Sequence, residues 1–379
     1  MPKLRFPGFE GEWGVALLSE IFEKNTQKNA DGKITNVICN SAKQGLIPQR
    51  EYFDKDIANG DNTNAYYIIK QNDFVYNPRK SSDAPYGPIS IYKYADAGIV
   101  SPLYLCFSAK HRINSRYFEW YFRSPVWHRY IYISGDSGAR HDRVSIKDST
   151  FFAMPICIPS GHEQMQIASF LSKLDERIEK QRLLVENIKK YKRGAIIHAL
   201  THKSAKYSAT STWVEKTLAD LCCEFRSGRN ISATLIHGTG EYPVYGGNGI
   251  RGYCDKYSHD GEYVVIGRQG ALCGNVRLIQ GQNYLSEHAI AVKANTENDT
   301  KFLLYLLDFM RLGQYSDQGA QPGLAVNKLL KLKCTVPDKK SQAKIAAFLL
   351  NLDAQISVHE MILSCLCNQQ KALLQQLFI

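Results

Sequence analysis

A segment of twenty residues occurs twice in the chain, with a constant offset of 178 positions and without a gap. The first copy occupies positions 159–178 and the second occupies positions 337–356. Nine of the twenty aligned residues are identical, whereas unrelated sequences would share about one or two. A chain with this pattern contains a duplicated structural element, so its fold must repeat at least in part.

Other similar residues frame the two halves outside this segment. They are Trp13 and Trp213, FEWYF (118–122) and FLLYL (302–306), and two small-residue turns, GAR (138–140) and GAQ (319–321). The stretches between these marks do not resemble each other. Similar frames around unlike interiors indicate one scaffold that presents two different surfaces.

Both copies begin long patterns in which apolar residues recur at intervals of three and four, which predicts two amphipathic helices. Lys192 aligns with Gln370, so a polar interruption recurs at the same place in both patterns. Proline favours a helix start, and we expect Ser160 and Asp338 to cap the two helices. The alternative is two helices buried separately in unrelated cores. The residues expected to pack helix against helix are Ile167, Leu171, Leu174, Ile178, Val185, Ile188, Ile345, Leu349, Leu352, Ile356, Leu363 and Leu366.

The order of these segments predicts an α+β chain in which two globular domains are separated by two long antiparallel helices. The helices would form a coiled coil and give the chain a pseudo-two-fold internal repeat. At about 1.5 Å per residue, each would be a rod of roughly 50 Å. The polar stretch at 201–212 is the predicted linker. The predicted segments are a first domain at 1–158, a first helix at 159–205, a second domain at 206–336 and a second helix at 337–379.

The chain is basic, with 47 Lys and Arg residues against 36 Asp and Glu residues and a formal charge of +11. Such an excess favours a polyanionic partner through phosphate contacts and counterion release, and nucleic acid is the first candidate. A basic surface that serves only solubility is the alternative.

The ten cysteines include neither a C-x-x-C pair nor a Cys/His spacing suited to zinc. We therefore expect no metal site and a reduced, cytoplasmic protein. The first residues lack the apolar core of a signal peptide, and no apolar run approaches the ~18 residues of a membrane-spanning helix. We expect no membrane partner.

The first domain alternates β-favouring runs with turns and brings basic and aromatic residues close together in sequence. The candidates for DNA contact are Tyr76, Arg79, Lys80 and Tyr86. Lysine and arginine neutralise phosphates, and arginine also forms paired hydrogen bonds with guanine edges. For any one of these residues, a solvated strand edge or turn is the alternative.

The second domain has two glycine-rich segments, YGGNGIRGY (245–253) and VVIGRQGALCGNV (264–276). Glycine allows positive φ and close approach to another backbone, which suits loops that meet DNA. Neither segment has the lysine of a phosphate-binding loop, and ordinary hairpin turns are the alternative. The candidates for DNA contact are Tyr245, Asn248, Arg251, Arg268 and Gln269.

The paired Gly-Ala turns supply three more candidates for DNA contact, Arg140, His141 and Gln321. These turns recur before both helices in otherwise unlike surroundings. The alternative is that each turn packs its domain against its helix.

Motifs of DNA-modifying enzymes are incomplete in this chain. Asn77-Pro78-Arg79 begins like a methyltransferase motif but lacks the second proline and the aromatic residue. Pro337-Asp338 lacks the acidic and lysine residues that complete a magnesium-dependent nuclease site. We therefore predict no catalytic residue. The leading hypothesis is a non-catalytic DNA-binding scaffold. Two hypotheses compete with it: an unrecognised site that cuts or methylates DNA, and a coiled-coil assembly protein whose charge is incidental.

Four marks carry a resemblance to a known family. They are the opening KLRFPGFEGEW (3–13), GIVSPLY (98–104), the two Gly-Ala turns, and the duplicated pattern P-x4-Q-x2-IA-x-FL-x2-LD-x2-I. Over nearly its full length the chain resembles the specificity subunit of type I restriction-modification systems.

The resemblance implies two target-recognition domains, each reading one half of a split site in double-stranded DNA. It implies that the two helices set the spacing and dock two modification subunits, with restriction subunits in the same complex. S-adenosylmethionine, ATP and Mg²⁺ would then belong to those partners, with no cofactor and no catalysis in this chain. The alternative is a related fused or type II-like system with its own nuclease or methyltransferase activity. Because recognition interiors vary with the target, the resemblance assigns no base-contacting residue.

Overall fold

The computed structural model describes residues 2–52, 63–135, 142–201, 213–317 and 323–378. The chain divides into two compact units. One contains residues 1–181 and 362–379, and the other contains residues 182–361. Each unit therefore includes one end of each of the two longest helices.

The first unit contains ten short strands and several helices among its described residues. The strands are β1 (Gly14–Leu17), β2 (Phe22–Lys24), β3 (Ile38–Ser41), β4 (Gly45–Pro48), β5 (Tyr67–Ile69), β6 (Phe74–Tyr76), β7 (Ile89–Ile91), β8 (Gly98–Val100), β9 (Leu105–Ala109) and β10 (Pro155–Ile158). The helices are α1 (Leu18–Ile21), α2 (Gln49–Tyr52), α3 (Ser115–Arg123), α4 (His128–Ser134), α5 (Asp148–Phe152) and the first part of α6 (Gly161–Leu200). An antiparallel sheet has the spatial order β2-β9-β6-β7, and β1 pairs with β10.

Both faces of this four-stranded sheet are covered, because successive side chains of a strand point to opposite faces. Phe74 and Tyr76 pack into a core with the aromatic residues of α3. Val75 packs on the other face, in a smaller core with Ile38 of β3 and Tyr92. Strand β6 is therefore buried along its whole length.

The second unit contains the remaining strands and helices. The strands are β11 (Val214–Thr217), β12 (Cys222–Ser227), β13 (Tyr242–Gly246), β14 (Gly249–Cys254), β15 (Tyr263–Gly267), β16 (Val276–Ile279), β17 (Tyr284–Leu285), β18 (Ala289–Ala294) and β19 (Lys333–Val336). The helices are the second part of α6, α7 (Leu218–Leu221), α8 (Thr300–Phe309), α9 (Val326–Leu329) and the first part of α10 (Lys339–Phe378), with 3-10 turns at Ala233–Leu235 and Leu312–Tyr315.

The second unit repeats the topology of the first. Its antiparallel sheet has the order β12-β18-β15-β16, and β11 pairs with β19 as β1 pairs with β10. Strand β15 alternates as β6 does, since Val264 and Ile266 face the core with α8 while Val265 faces a smaller core with Leu285. The structural repeat thus includes the stretches between the similar segments, although the sequences of these stretches do not resemble each other. The prediction of an α+β chain with an internal repeat is confirmed.

Both long helices have 40 residues and begin just after the two aligned prolines. At about 1.5 Å per residue, each is about 60 Å long. Ser160 Oγ accepts a hydrogen bond from the Glu163 N–H at 3.3 Å, and Asp338 Oδ1 accepts one from the Ser341 N–H at 3.1 Å. The predicted N-terminal caps are therefore confirmed.

Contacts inside each unit show that the long helices run antiparallel. In the first unit the Gln370 amide donates to the Asp175 carboxylate at 3.0 Å. In the second unit Lys192 forms an ion pair with Asp353. The two aspartates align with each other in the repeat, as do Lys192 and Gln370, so the same contact occurs once in each unit. The prediction that the helices pack together is confirmed, and the alternative of unrelated cores is wrong.

The apolar residues predicted to lie on the packing faces of the two helices are all at least partly buried. Those with no more than about a tenth of their surface exposed are Ile167, Leu171, Ile178, Val185, Ile345, Leu349, Leu352, Ile356 and Leu366. Leu174, Ile188 and Leu363 are half-buried. Of the predicted linker, residues 202–212 lie outside the described residues.

Candidate nucleic-acid interface

A two-stranded hairpin packs on each four-stranded sheet, at an equivalent place in the two domains. In the first domain the hairpin is β3–β4, and Ser41 pairs with Gly45 at its tip. In the second domain it is β13–β14, and Gly246 pairs with Gly249. Each second strand opens with a glycine of positive φ, +71° at Gly45 and +99° at Gly249. Glycine adopts this conformation without steric cost.

The tip glycines lie over equivalent residues of the sheets. A Cβ at Gly45 would lie 3.7 Å from Ser90 Oγ, and one at Gly249 would lie 2.7 Å from Arg277 Nη1. Ser90 on β7 pairs with the middle residue of β6, as Arg277 on β16 pairs with Val265 of β15. The two hairpins therefore occupy the same position on the same framework.

The first hairpin is fixed to its sheet by the buried Asn40 of β3. Its Nδ2 donates to the Val75 carbonyl at 2.8 Å, and its Oδ1 accepts from Ser90 Oγ at 2.7 Å. The Asn77 amide donates to the Asn40 carbonyl at 3.1 Å. The hairpin therefore has one defined position relative to the loop that follows β6.

This loop after β6 carries the predicted residues Arg79 and Lys80, and both side chains are exposed. The Lys80 N–H donates to the Asp142 carbonyl at 2.8 Å, so the loop lies against the segment that follows the first Gly-Ala turn. Arg79 Nε lies 3.9 Å from the Asp142 carboxylate, with both side chains more than half exposed. A surface pair of this kind contributes little, so Arg79 stays available to a phosphate.

The loop after β15 is the counterpart in the second domain and carries Arg268 and Gln269. The Leu324 N–H donates to the Arg268 carbonyl at 2.9 Å, so this loop lies against the segment that follows the second Gly-Ala turn. The Arg268 guanidinium is directed at the carbonyls of Leu324 and Glu287, at 3.4 and 3.3 Å. Gln269 Oε1 lies 2.7 Å from His288 Nδ1. Both half-buried side chains are thus engaged with the loops around them.

The hairpin of the second domain packs on this loop backbone to backbone. A Cβ at Gly267 would lie 2.3 Å from the Gly247 carbonyl oxygen, and one at Gly247 would lie 2.6 Å from the Gln269 carbonyl oxygen. Only glycine allows two chains to approach this closely. The glycine-rich segments were predicted to approach another backbone closely. In the structure, the backbone that each segment approaches is that of the other segment.

Three elements converge in each domain: a hairpin tip, the loop after the third strand of the sheet, and the chain that follows a Gly-Ala turn. The sequence analysis predicted some of these elements in each domain but did not predict that they lie together. Arg140, His141 and Gln321 of the turns themselves lie outside the described residues, so they stay predictions.

The aromatic candidates pack inward instead of facing a partner. The prediction of DNA contact is wrong for Tyr76, which is 2% exposed and donates its hydroxyl to the Tyr86 carbonyl at 2.9 Å. The half-buried Tyr86 ring lies 5.0 Å from the ring of His128. Burial lowers the pKa of His128, so that imidazole is neutral at pH 7 and supplies no positive charge. The half-buried Tyr245 packs against the smaller core of the second domain.

Two arginines and an amide are exposed around the second hairpin. Asn248 is at the tip, and the Arg251 side chain folds over Gly246. Neither Arg251 nor Arg277 has a side-chain hydrogen bond or ion pair with any residue that the structure describes. Their charges face solvent, as a phosphate or a guanine edge requires.

Sequence reasoning missed Arg277 and the first hairpin tip. At that tip Lys43 and Gln44 are exposed, and Lys43 Nζ lies 3.5 Å from an Asp83 carboxylate that is itself half-exposed. The available signal was Gln44-Gly45 between two β-favouring runs, which is typical of a hairpin. The position of Arg277 beneath a tip glycine has no sequence signal.

Among the residues with described positions, no cluster of three His, Cys, Asp or Glu side chains could hold a metal ion. No helix in the described ranges has both the length and the apolar composition of a membrane span.

The chain belongs to the family described as the type I restriction modification DNA specificity domain, whose sequence profile matches residues 10–187 and 210–366. Each matched range covers one half of the structural repeat. The resemblance inferred from the sequence is confirmed.

Individual relatives are similar over shorter stretches. The specificity subunit of the type I restriction enzyme EcoprrI of Escherichia coli is 47% identical over 142 residues, which cover 36% of this chain and 35% of that protein. A putative type I specificity subunit of Mycoplasma pneumoniae is 28% identical over 134 residues, 34% of this chain and 44% of that protein. The chain thus matches less than half the length of these relatives.

Solved structures match the fold over its whole length. The S subunit of a type I restriction-modification system from M. genitalium has a TM-score of 0.65 at 18% identity, covering 100% of this chain and 99% of the other. The HsdS subunit from Thermoanaerobacter tengcongensis has a TM-score of 0.51 at 16% identity, covering 99% and 98%. At such low identity the likeness concerns the fold.

Proposed function

We propose that this chain reads DNA sequence as the specificity subunit of a type I restriction-modification complex, with each domain reading one half of a bipartite site. The observation that carries the proposal is one domain topology built twice, with different residues on equivalent hairpins and loops. A common framework with exchangeable tips suits two unlike half-sites. The formal charge of +11 supports a polyanionic partner.

The two long helices set the distance between the half-sites and dock two modification subunits. Their length and antiparallel pairing support the first role. The second is supported by a pair of adjacent exposed apolar residues at the same place on each helix. Leu183 and Leu184 are 50% and 40% exposed, and Met361 and Ile362, 178 residues later, are 68% and 38% exposed. Exposed apolar residues that lie next to each other are typical of a surface that another protein covers.

The chain contributes recognition and no bond-making chemistry. Adenine methylation with S-adenosylmethionine and cleavage with ATP and Mg²⁺ belong to the modification and restriction subunits. Incubation of the isolated chain with DNA, Mg²⁺ and S-adenosylmethionine is expected to give neither cleavage nor methyl transfer. Either product from pure chain would favour a fused or type II-like enzyme.

Salt dependence tests the DNA-binding role. The chain, alone or with its host's modification subunit, is expected to bind duplex DNA. A plot of the logarithm of the binding constant against the logarithm of the salt concentration should be a straight line with a slope of about −0.9 for each phosphate that the chain neutralises. Replacing the exposed Arg79 or Arg251 by Ala should reduce that slope by about 1, because one phosphate contact is lost.

Lys256→Ala provides the control, since Lys256 lies beyond the end of β14 that is remote from the tip. Binding that ignores salt, or no binding even with the modification subunit, would contradict the proposal.

A further inference from the structure

Each of the two hairpin tips carries or adjoins one cation and one carboxamide. The first tip presents the ammonium of Lys43 beside the amide of Gln44. The second presents the exposed amide of Asn248, and the exposed guanidinium of Arg277 has its Nη1 2.7 Å from the position that a Cβ of the adjacent Gly249 would take. Each tip therefore combines one cation with one carboxamide, although the two sequences are unrelated at these positions.

These groups are free to meet a ligand. Lys43 has only the exposed, 3.5 Å pair with Asp83, which is easily exchanged for another anion. The side chains of Gln44, Asn248 and Arg277 make no hydrogen bond to another side chain or carbonyl in the part of the chain that the structure describes. Because the hairpins are fixed to the sheets, little ordering of the backbone is needed when these side chains bind.

We propose that the two equivalent hairpin tips are the base-reading elements of the two domains, Lys43 and Gln44 for one half-site and Asn248 and Arg277 for the other. This inference rests on the proposed DNA-reading function. A two-stranded ribbon fits the major groove, where a cation bonds the O6 and N7 of guanine and a carboxamide bonds the N6 and N7 of adenine. Each half-site therefore contains a guanine and an adenine read by its tip.

Two double variants of the full chain, each in complex with the host's modification subunit, test the assignment. Selection from a library of randomised duplexes first defines the bipartite site of the unmodified complex. Lys43→Ala with Gln44→Ala is expected to lose base preference in one half-site only, and Asn248→Ala with Arg277→Ala in the other half-site only. Each lost base contact should weaken binding to the original site about 5- to 150-fold.

Matched controls come from the opposite ends of the same sheets. Lys70→Ala with Gln71→Ala repeats the first pair of changes in the turn before β6. Lys256→Ala with Gln282→Ala likewise removes one cation and one carboxamide from the second domain, beyond the ends of β14 and β16 that are remote from the tip. Both controls should keep the original site. If Arg277→Ala lowers the melting temperature, Arg277→Gln keeps most of the length of the side chain without its charge, and it should lose the same guanine preference.

Each remaining outcome has one meaning. Unchanged preference in the tip variants overturns the assignment and leaves the proposed function standing. Equal weakening on every duplex shows phosphate contact and also overturns base reading. An unmodified complex that binds every duplex equally overturns the proposed function itself.

Discussion

At the scale of single residues, a few side chains and glycines determine where the candidate nucleic-acid interface lies. Asn40 bonds the first hairpin to its sheet, and Gly249 admits the Arg277 guanidinium beneath the second. These positions were not predictable, because each depends on a partner far away in the sequence. The error at Tyr76 has a different origin. Phe74, Val75 and Tyr76 form a continuous apolar run, which is the pattern of a strand covered on both faces, so the burial of Tyr76 did have a sequence signal.

Gly249→Ala tests the tip geometry. The positive φ should cost about 1 to 2 kcal/mol of unfolding free energy, and the new methyl must displace Arg277, so preference in one half-site should fall as well. Gly281→Ala is the control, because Gly281 has a φ of +80° with nothing near its Cβ position and lies between β16 and β17. The control variant should lower the free energy of unfolding and leave the base preference unchanged. Equal loss of preference in both variants would show that Arg277 placement is irrelevant.

The Asp175 carboxylate links α3 to both long helices and should make stability depend on pH. Burial raises its pKa, but hydrogen bonds from Arg123 at 3.1 and 3.2 Å and from Gln370 outweigh burial, and the net pKa is lowered. A lowered pKa in the folded state gives stability that is present above the unfolded pKa of about 3.9 and is lost as pH falls through the folded value.

Asp175→Asn should therefore cost about 0.5 to 1 kcal/mol at pH 7, after allowance for the partial exposure of the pair, and progressively less as the pH falls through the folded pKa. Chemical denaturation at several pH values measures this. Combining it with Arg123→Ala should cost less than the sum of the two single changes. A constant cost from pH 7 to pH 2 would show that the charge of Asp175 has no role.

At the scale of elements, the long helices were predictable and the hairpins were not. Periodicity, the aligned prolines and the caps at Ser160 and Asp338 are local properties, so they are visible in the sequence. The hairpins differ in sequence apart from the glycine that opens each second strand, and their equivalence rests on backbone pairing that many side chains allow. Their tips were therefore found only in the second domain, where glycines mark the turn.

Matched insertions test whether the helices set the half-site spacing. Four residues inserted after Leu183 and four after Met361 lengthen both helices by about one turn, or roughly 6 Å, at aligned positions. The contacts of Asp175 and Asp353 at the two ends are kept. The spacing between half-sites should grow by about two base pairs, with each half-site sequence unchanged.

Adenine methylation mapping of cells that express the lengthened chain measures this spacing. An insertion after Leu183 alone is the control, since helices of unequal length cannot keep both end contacts and should lower stability. An unchanged spacing in the matched variant would show that the helices are not the ruler.

At the scale of the whole molecule, the chain is one scaffold built twice. The duplicated helix segment and the similar frames allowed the sequence to predict the repeat and the family. The four-stranded sheets, the helices α3 and α8 and the long helices recur in both halves, while the hairpins and loops carry different residues. The two domains can therefore present different residues on the same four-stranded framework.

The most direct test of this account maps methylated adenines across the host genome with and without this chain. We expect a motif of two unlike halves, separated by bases of any identity, that disappears when the chain is absent. A single uninterrupted motif, or a motif that persists without the chain, would contradict the claim that two equivalent domains read two half-sites.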